Sequence, residues 1–386
     1  MAEGALSGIK VLDFGQYISG PYTAMLLAEQ GADVIKIERP QGDPYRKEKG
    51  FIVWNRSKKA ITLDLKKAEG RKIALDLAKQ ADVVIENYRP GIAEKLGIGY
   101  DTVQKVNPRI VYCSISGFGQ KGPYRDIPGW EPLVDALASV YTNQGYGAHP
   151  LYIVLPLATH YAAFQAAFGI TTALCVREMT GRGQKMDISL FRSIMGAQRL
   201  FLVDFPGSMR IPWGPSGLLP LYRAYQGSDG KWFFLGLGNF KFFTQFSMTM
   251  GRSEWLTDPL FEGAPFLILP PRNAQVMAML KKIFAGKNRD EWLTLLRGDG
   301  VPCAPIRTIR EFMDDPQVAA NDMIVTMEEP GLGKVREMGI PVKLRGTPGE
   351  IKGPSPKRGR HTREILNGLG YSAEEIRRLQ QTNVAR

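Results

Sequence analysis

Apolar and polar positions switch period several times along the first 120 residues. Residues 10–14 (KVLDF) are a short apolar run that stops at Gly15. Residues 21–30 (PYTAMLLAEQ) then carry apolar side chains at helical spacing. Pro21 suits a first helical turn and Gly31 a C-cap. Residues 32–38 (ADVIKIE) return to a strand-like run, which completes a β-α-β unit. The pattern recurs as a strand at 60–65, an amphipathic helix at 68–80, a strand at 82–86, a short helix near 102–106 and a strand at 109–115. Strands alternating with helices predict a doubly wound parallel sheet with its ligand at the carboxyl ends of the strands. The residues just after each strand are therefore the candidates for function.

Further along, residues 159–178 read as one helix rich in Ala and Phe, with Thr159 as its N-cap. Gly181-Arg182-Gly183-Gln184 turns it into a strand over 185–190. Residues 207–220 are dense in Gly and Pro and read as a linker. Short antiparallel strands are predicted within 221–237, around the turn Ser228-Asp229-Gly230, with helices at 240–250, 274–284 and 289–296. The organisation expected is a large α/β domain begun by residues 1–206, a smaller α+β domain over 221–318, and a return of the chain over 319–386 to complete the large domain.

Composition narrows the field. The chain has 386 residues, of which 44% are hydrophobic and 23% charged, enough apolar matter for a large core. Cys113, Cys175 and Cys303 are far apart and form no CxxC, which excludes a zinc or iron–sulfur site of that kind and fits a reducing, cytoplasmic compartment. His149, His160 and His361 are scattered, so no metal is expected. The N-terminus lacks the pattern of a signal peptide, and the longest weakly polar stretch, 162–176, is shorter than the about 20 residues a membrane helix needs. The net charge of +12 points to an anionic partner, either nucleic acid or a phosphorylated small molecule.

Several familiar signatures are missing: GxGxxG after the first strand, a GxxxxGK[ST] phosphate loop, and a GxSxG elbow. What the chain carries instead is an ordered set of phrases. They include VLDFGQYISGP at 11–21, GADVIKIERPQGDPYR at 31–46, ADVVIENYRPG at 81–91, NPRIVYCSISGFGQKGPY at 107–124, REMTGRGQKMDISL at 177–190, VPCAPI at 301–306 and GRHTREIL at 359–366. From about residue 8 to its end the chain resembles the class III CoA-transferases, the family of formyl-CoA transferase, carnitine CoA-transferase and α-methylacyl-CoA racemase.

The resemblance implies coenzyme A, or an acyl-CoA, as substrate rather than a permanently bound cofactor. It assigns Arg39, Lys66 and Lys95 to the nucleotide phosphates, and Leu63, Tyr88 and Leu96 to the adenine wall. Tyr17, Ile18 and Ser19 match the turn that receives the pantetheine and thioester, and Asn87 a polar contact. Such a ligand needs cations, backbone N–H groups at a helix start and an apolar slot, which these residue types supply. The resemblance also implies a Rossmann-like large domain, an inserted small domain, and two chains interlocked as rings.

In the resembling transferases an Asp attacks the acyl-CoA thioester to form a mixed anhydride. CoA thiolate then gives an aspartyl-CoA thioester, and the acceptor acid reverses the sequence. The matching position here is Thr159, with no acid within several residues. Glu131 matches a family acid near the active site, His160 is a candidate base, and Asp135 and Ala138 stand where the family commonly has an amide and a glycine. Gly214-Pro215-Ser216-Gly217 is the nearest counterpart of the family's glycine-rich loop. Trp130, Phe201, Trp213 and Tyr222 would suit an aromatic acid.

The leading expectation is the Asp-lacking subunit of a heteromeric CoA-transferase, as in succinyl-CoA:benzylsuccinate CoA-transferase, paired with a homologous Asp-containing subunit and using a donor such as succinyl-CoA. The alternatives are a homodimeric isomerase, racemase or lyase working through His160 or Glu131, and a non-catalytic CoA-binding protein. On each view part of the basic excess, in Arg39, Lys66 and Lys95, is read as CoA-directed and the rest, including Lys357, Arg358 and Arg360, as unassigned surface charge; neither nucleic acid nor membrane is expected as a partner.

Overall fold

The runs rich in Val and Ile become parallel strands. The structure, a computed structural model, describes residues 4–144, 149–198, 202–206 and 219–386. The expected linker over 207–220 and the loop Gly214–Gly217 fall largely or wholly outside them, as do Phe201 and Trp213. The chain divides into two units, one made of residues 1–138, 154–204 and 319–386, the other of 139–153 and 205–318.

In the first unit six strands form one parallel sheet: β1 (Lys10–Asp13), β2 (Asp33–Glu38), β3 (Lys59–Thr62), β4 (Val83–Glu86), β5 (Val111–Ser116) and β6 (Lys185–Ser189). The order across the sheet is β3-β2-β1-β4-β5-β6. Val11, Val83, Val84, Ile85, Val111 and Ile61 are fully buried, as strands covered on both faces require. The chain winds outward from β1 to β3, then restarts beside β1 with β4. A crevice therefore opens at the carboxyl ends of β1 and β4, where such sheets take their ligands. The helix Ser19–Glu29 is buried along its whole length, and its apolar residues sit in the sheet's cover with those of Leu157–Thr180.

A buried ion network underlies that crevice. Lys58 Nζ donates to Asp13 Oδ2 (2.8 Å), to Pro21 O (2.8 Å) and to Asn55 Oδ1 (3.2 Å). Lys36 Nζ donates to Gly15 O (2.9 Å) and lies 3.0 Å from Asp43 Oδ2. Burial alone would raise the Asp13 carboxyl, but Lys58 and Lys36 outweigh it and hold the group below its ordinary value. Burial brings the Lys58 ammonium down to about 8, with Asp13 opposing.

Residues 319–386 finish this unit. Strands Ile324–Glu329 and Gly333–Met338 form an antiparallel ribbon. Arg56, fully buried, joins it by donating to Glu29 Oε1 (2.6 Å) and Met338 O (2.6 Å). His361 Nδ1 accepts the Ala60 N–H at 3.1 Å, and Thr362 donates to Arg386 O. Residues 384–386 pair with 62–64 along the free edge of β3.

In the second unit Tyr222–Gln226, Trp232–Gly236 and Cys303–Pro305 form an antiparallel sheet. The helices Phe240–Thr249, Arg272–Phe284 and Arg289–Gly298 share its aromatic core of Phe233, Phe243, Phe246, Phe284, Trp255 and Trp292. One expectation needs correction. Residues 139–153, read as part of the large domain, group with this unit. Among the described residues of that stretch, Leu151 N–H is bonded to Tyr141 O (3.0 Å) and the Tyr141 and Tyr152 rings are 5.6 Å apart.

Replacing Lys58 by Met removes the nearest cation from Asp13 and leaves it, in a dry interior, with Lys36 at 4.0 Å and the Gly15 N–H. The expected loss of stability is about 3–5 kcal/mol, read from urea unfolding. A loss comparable to that of a surface lysine would show that the network carries no such strain.

Candidate functional site

The turn after β1 is pulled tight. A Cβ on Gly15 would lie 2.8 Å from Gly20 Cα, so the two glycines allow the backbone to double back into the helix Ser19–Glu29. Asn87, just after β4, spans the crevice to it. Its Oδ1 accepts Gln16 N–H (2.7 Å), and its Nδ2 donates to Gln16 O (2.7 Å) and Ser19 Oγ (3.1 Å). Tyr17 takes a left-handed conformation (φ 61°), held by its N–H to Asp43 Oδ1 at 3.2 Å. The ion network thus sets the turn that presents Tyr17, Ile18 and Ser19.

Beside this turn is a cavity of about 440 Å³. It brings together five of the residues expected at the nucleotide: Arg39, Leu63, Lys66, Tyr88 and Leu96. Arg39 and Lys66 are exposed, and Arg39 Nε donates to Gly42 O at 3.0 Å. Leu63, Ile37, Ile92 and Leu96 supply an apolar wall, and Gln16 reaches in from the first turn. Burial pushes the Tyr88 hydroxyl well up, so it stays protonated, and raises Glu86 to about 7. Lys95 does not line this cavity. It ends the short helix Ile92–Lys95 and is exposed, while Leu96, one residue on, turns inward. Gln16, Ile37 and Ile92 were missed by sequence reasoning. Ile37 had a signal, lying two residues before Arg39 at strand alternation.

A second group sits at the start of the helix Leu157–Thr180. A Cβ on Gly129 would meet Gly117 Cα at 2.4 Å, so only glycine lets the chain pass the end of β5 and deliver Trp130 and the helix Glu131–Leu137. The Glu131 carboxylate accepts Ala158 N–H (2.6 Å), Thr159 N–H (2.9 Å) and the Thr159 hydroxyl. Thr159 is therefore not the N-cap. The helix starts two residues earlier, after Pro156, and Glu131 satisfies its free N–H groups from another element. Local capping propensity could not anticipate a carboxylate 28 residues upstream. His160 Nδ1 meets Pro156 O at 2.6 Å, and its ring packs at 5.4 Å from Tyr22 and 6.2 Å from Trp54. Asp135, one turn after Glu131, is fully buried, and neither carboxyl oxygen has a hydrogen-bond partner. Burial, then the Glu131 charge, raises it to about 7. Among the described residues no cluster of His, Cys, Asp or Glu could hold a metal ion, and no helix is long and apolar enough to cross a membrane.

A strand order reversing at a crevice, a cavity with two exposed cations over an apolar wall, and a polar helix start nearby define an α/β protein with the charge and apolar wall that a phosphorylated ligand calls for. The model of CoA-transferase family III matches residues 6–362, and the chain belongs to that family. It is 31% identical to succinyl-CoA–D-citramalate CoA-transferase from Chloroflexus aurantiacus, over 98% of both chains. The same organism's succinyl-CoA–L-malate CoA-transferase beta subunit is also 31% identical, again over 98% of each. A crystal structure of a CaiB/BaiF family protein from Brucella suis superposes with a TM-score of 0.82 at 29% identity, covering 95% of this chain and all of the other.

Asp135 gives a pH prediction. In the folded chain it keeps a proton up to about 7, whereas unfolded it releases it near 3.8. Its contribution thus favours folding at acid pH and is lost as pH rises from about 4 through about 7. Asp135→Asn is expected to shrink the difference in unfolding free energy between about pH 5 and about pH 8. An unchanged difference would assign the titration to another group.

Proposed function

We propose that this chain is the non-nucleophilic subunit of a CoA-transferase that moves CoA from an acyl-CoA donor to a carboxylic acid. The observation that carries the reading is the occupancy of the helix start. Thr159 stands where the family's Asp is expected, and the Glu131 carboxylate is already held there by three donors. A carboxylate whose oxygens are engaged by three donors has few lone pairs left to attack with. A Thr hydroxyl donating to it cannot form the mixed anhydride.

CoA would lie with its nucleotide in the 440 Å³ cavity. Arg39 and Lys66 would meet the phosphates as charge-assisted donors, and Leu63, Tyr88 and Leu96 would flank the adenine. The pantetheine would run past Asn87 to the turn at Tyr17, Ile18 and Ser19. Lys95 would act at most through its charge.

The chemistry would be supplied by a homologous Asp-containing subunit, in the interlocked arrangement expected of the family. Tyr161, Phe164 and Phe168, exposed on one side of the helix Leu157–Thr180, support association with a second chain. Succinyl-CoA is named as donor for the relatives above and is the first donor to try. The free cysteines support a reducing, cytoplasmic setting.

A second reading, a homodimeric isomerase or racemase, draws on the His160 hydrogen bond. With Nδ1–H engaged on Pro156 O, Nε2 is the nitrogen left to accept a proton. Deuterium entering the α-carbon of an acyl-CoA would favour it.

Two measurements follow. Arg39→Ala and Lys66→Ala should each weaken CoA binding by about tenfold in calorimetry. Affinity unchanged from that of the parent chain in both variants would remove the phosphate assignment. The chain alone should lack transferase activity and gain it with its Asp-bearing homologue, and Thr159→Ala should leave the pair's rate within about twofold. Strong activity of the chain alone, abolished by Thr159→Ala, would overturn the subunit role.

A further inference from the structure

Three arginines line one cavity of about 250 Å³ in the second unit. Arg289 and Arg297 stand two turns apart on the helix Arg289–Gly298, with Leu293 on the turn between. Arg307 follows the strand Cys303–Pro305, just past the phrase VPCAPI, to which the CoA assignments give no role. Asp290, Thr294 and Pro305 complete the lining. Arg289 is half-buried, and Arg297 and Arg307 are exposed. Leu293 and Pro305 bring no donor, and the Thr294 hydroxyl already donates to Asp290 O at 2.9 Å. The guanidinium groups are therefore the donors left to an incoming molecule.

The lining carries three positive charges against one negative. The nucleotide cavity, by contrast, sets Arg39 and Lys66 against Glu38 and Asp64. The acids around the arginines are engaged. Asp290 accepts from Arg289 Nε (2.9 Å), a bond that holds its carboxyl below the ordinary value. Asp315 pairs with Arg307, and Glu311 accepts the Thr308 N–H at 2.7 Å. Arg297 Nε donates to Cys303 O at 3.2 Å. A guanidinium has five N–H donors in a fixed fork. With Nε tied to the protein, Arg289 and Arg297 are held in orientation and keep their Nη pair, from which no other protein oxygen among the described residues accepts. That pair is the part of the fork that grips a carboxylate or phosphate end-on. The helix start adds little, because its Arg289 and Glu291 N–H groups are taken by Asp229 and Asn288.

We propose that Arg289, Arg297 and Arg307 form a second anion site, which takes a small polyvalent oxyanion: a phosphate ester or a di- or tricarboxylate. Two forks and a third guanidinium match several oxyanion groups on one molecule, whereas a monocarboxylate fills one of them. The site lies within the second unit and does not rest on the CoA reading. It accounts for part of the basic excess that coenzyme A leaves unassigned. Binding there stabilises the unit by mass action.

The test is calorimetric titration of the full chain with pyrophosphate, citrate and acetate. The tighter of pyrophosphate and citrate is expected to bind at least about tenfold better than acetate, and its identity separates a phosphate from a polycarboxylate source. Arg297→Gln and Arg307→Gln, both at exposed positions, should each weaken that binding by about fivefold or more. Melting temperatures matching the parent chain's in the absence of anion show that these variants are folded. Pyrophosphate and citrate both binding no better than acetate would overturn the site. An affinity that neither variant changes would place the probes elsewhere and overturn it too. Failure of CoA to bind, with the arginine dependence intact, would remove the nucleotide assignment and leave this site standing.

Discussion

Lys58 and Lys36, sunk beneath the ends of β1 and β2, are the constraint from which the site follows. Their ammonium groups are dry, so Asp13, Asp43, Gly15 O and Pro21 O must stay where they are to solvate them. Those partners are the backbone and flanks of the turn between β1 and the helix Ser19–Glu29. A solvated loop would sample many conformations, but this one cannot move without uncovering a buried charge. Asp43 also accepts the Tyr17 and Tyr45 N–H groups, so the same network sets the stance of two rings. Rigidity is thereby transmitted from a set of charges that no ligand touches to the surface where one would bind.

The helix Leu157–Thr180 shows a different economy of design. Its start is satisfied by a carboxylate from a separate element, which ties two segments together and fills the place of greatest positive potential with the protein's own anion. An Asp at position 159 would set a second carboxylate against Glu131, and one of the two would have to hold a proton. With Thr there, the pair is a simple donor and acceptor. A threonine at this position is therefore coherent with its surroundings.

Much of this was legible from local pattern. The strands β1 to β5 and the helix Ala68–Gln80 followed from apolar period, because buried parallel strands and amphipathic helices write it directly into the chain. Arg39 drew notice because residues after parallel strands face the ligand end of the sheet, whereas Leu63 came only from the family resemblance; both line the cavity. Where reasoning failed, the cause was distance along the chain. The cap on Thr159 comes from Glu131, Lys58 answers Asp13 across 45 residues, and Lys36 reads in sequence as an ordinary surface lysine on a strand. Lys95 falls outside the cavity for the opposite reason. A single residue of helical rotation separates it from Leu96, finer than any spacing argument resolves. Asp135 carries no sequence mark of its burial at all.

The pairing of residues 384–386 with 62–64 has a consequence for the protein's birth on the ribosome. β3 is the outer strand of its sheet, and an open strand edge invites pairing with any other extended chain. Its cover is translated only after the whole of 205–318 has emerged. Until then the nascent sheet carries a bare hydrogen-bonding edge. The interval before that edge closes is when the growing chain is most exposed to aggregation and most in need of a chaperone.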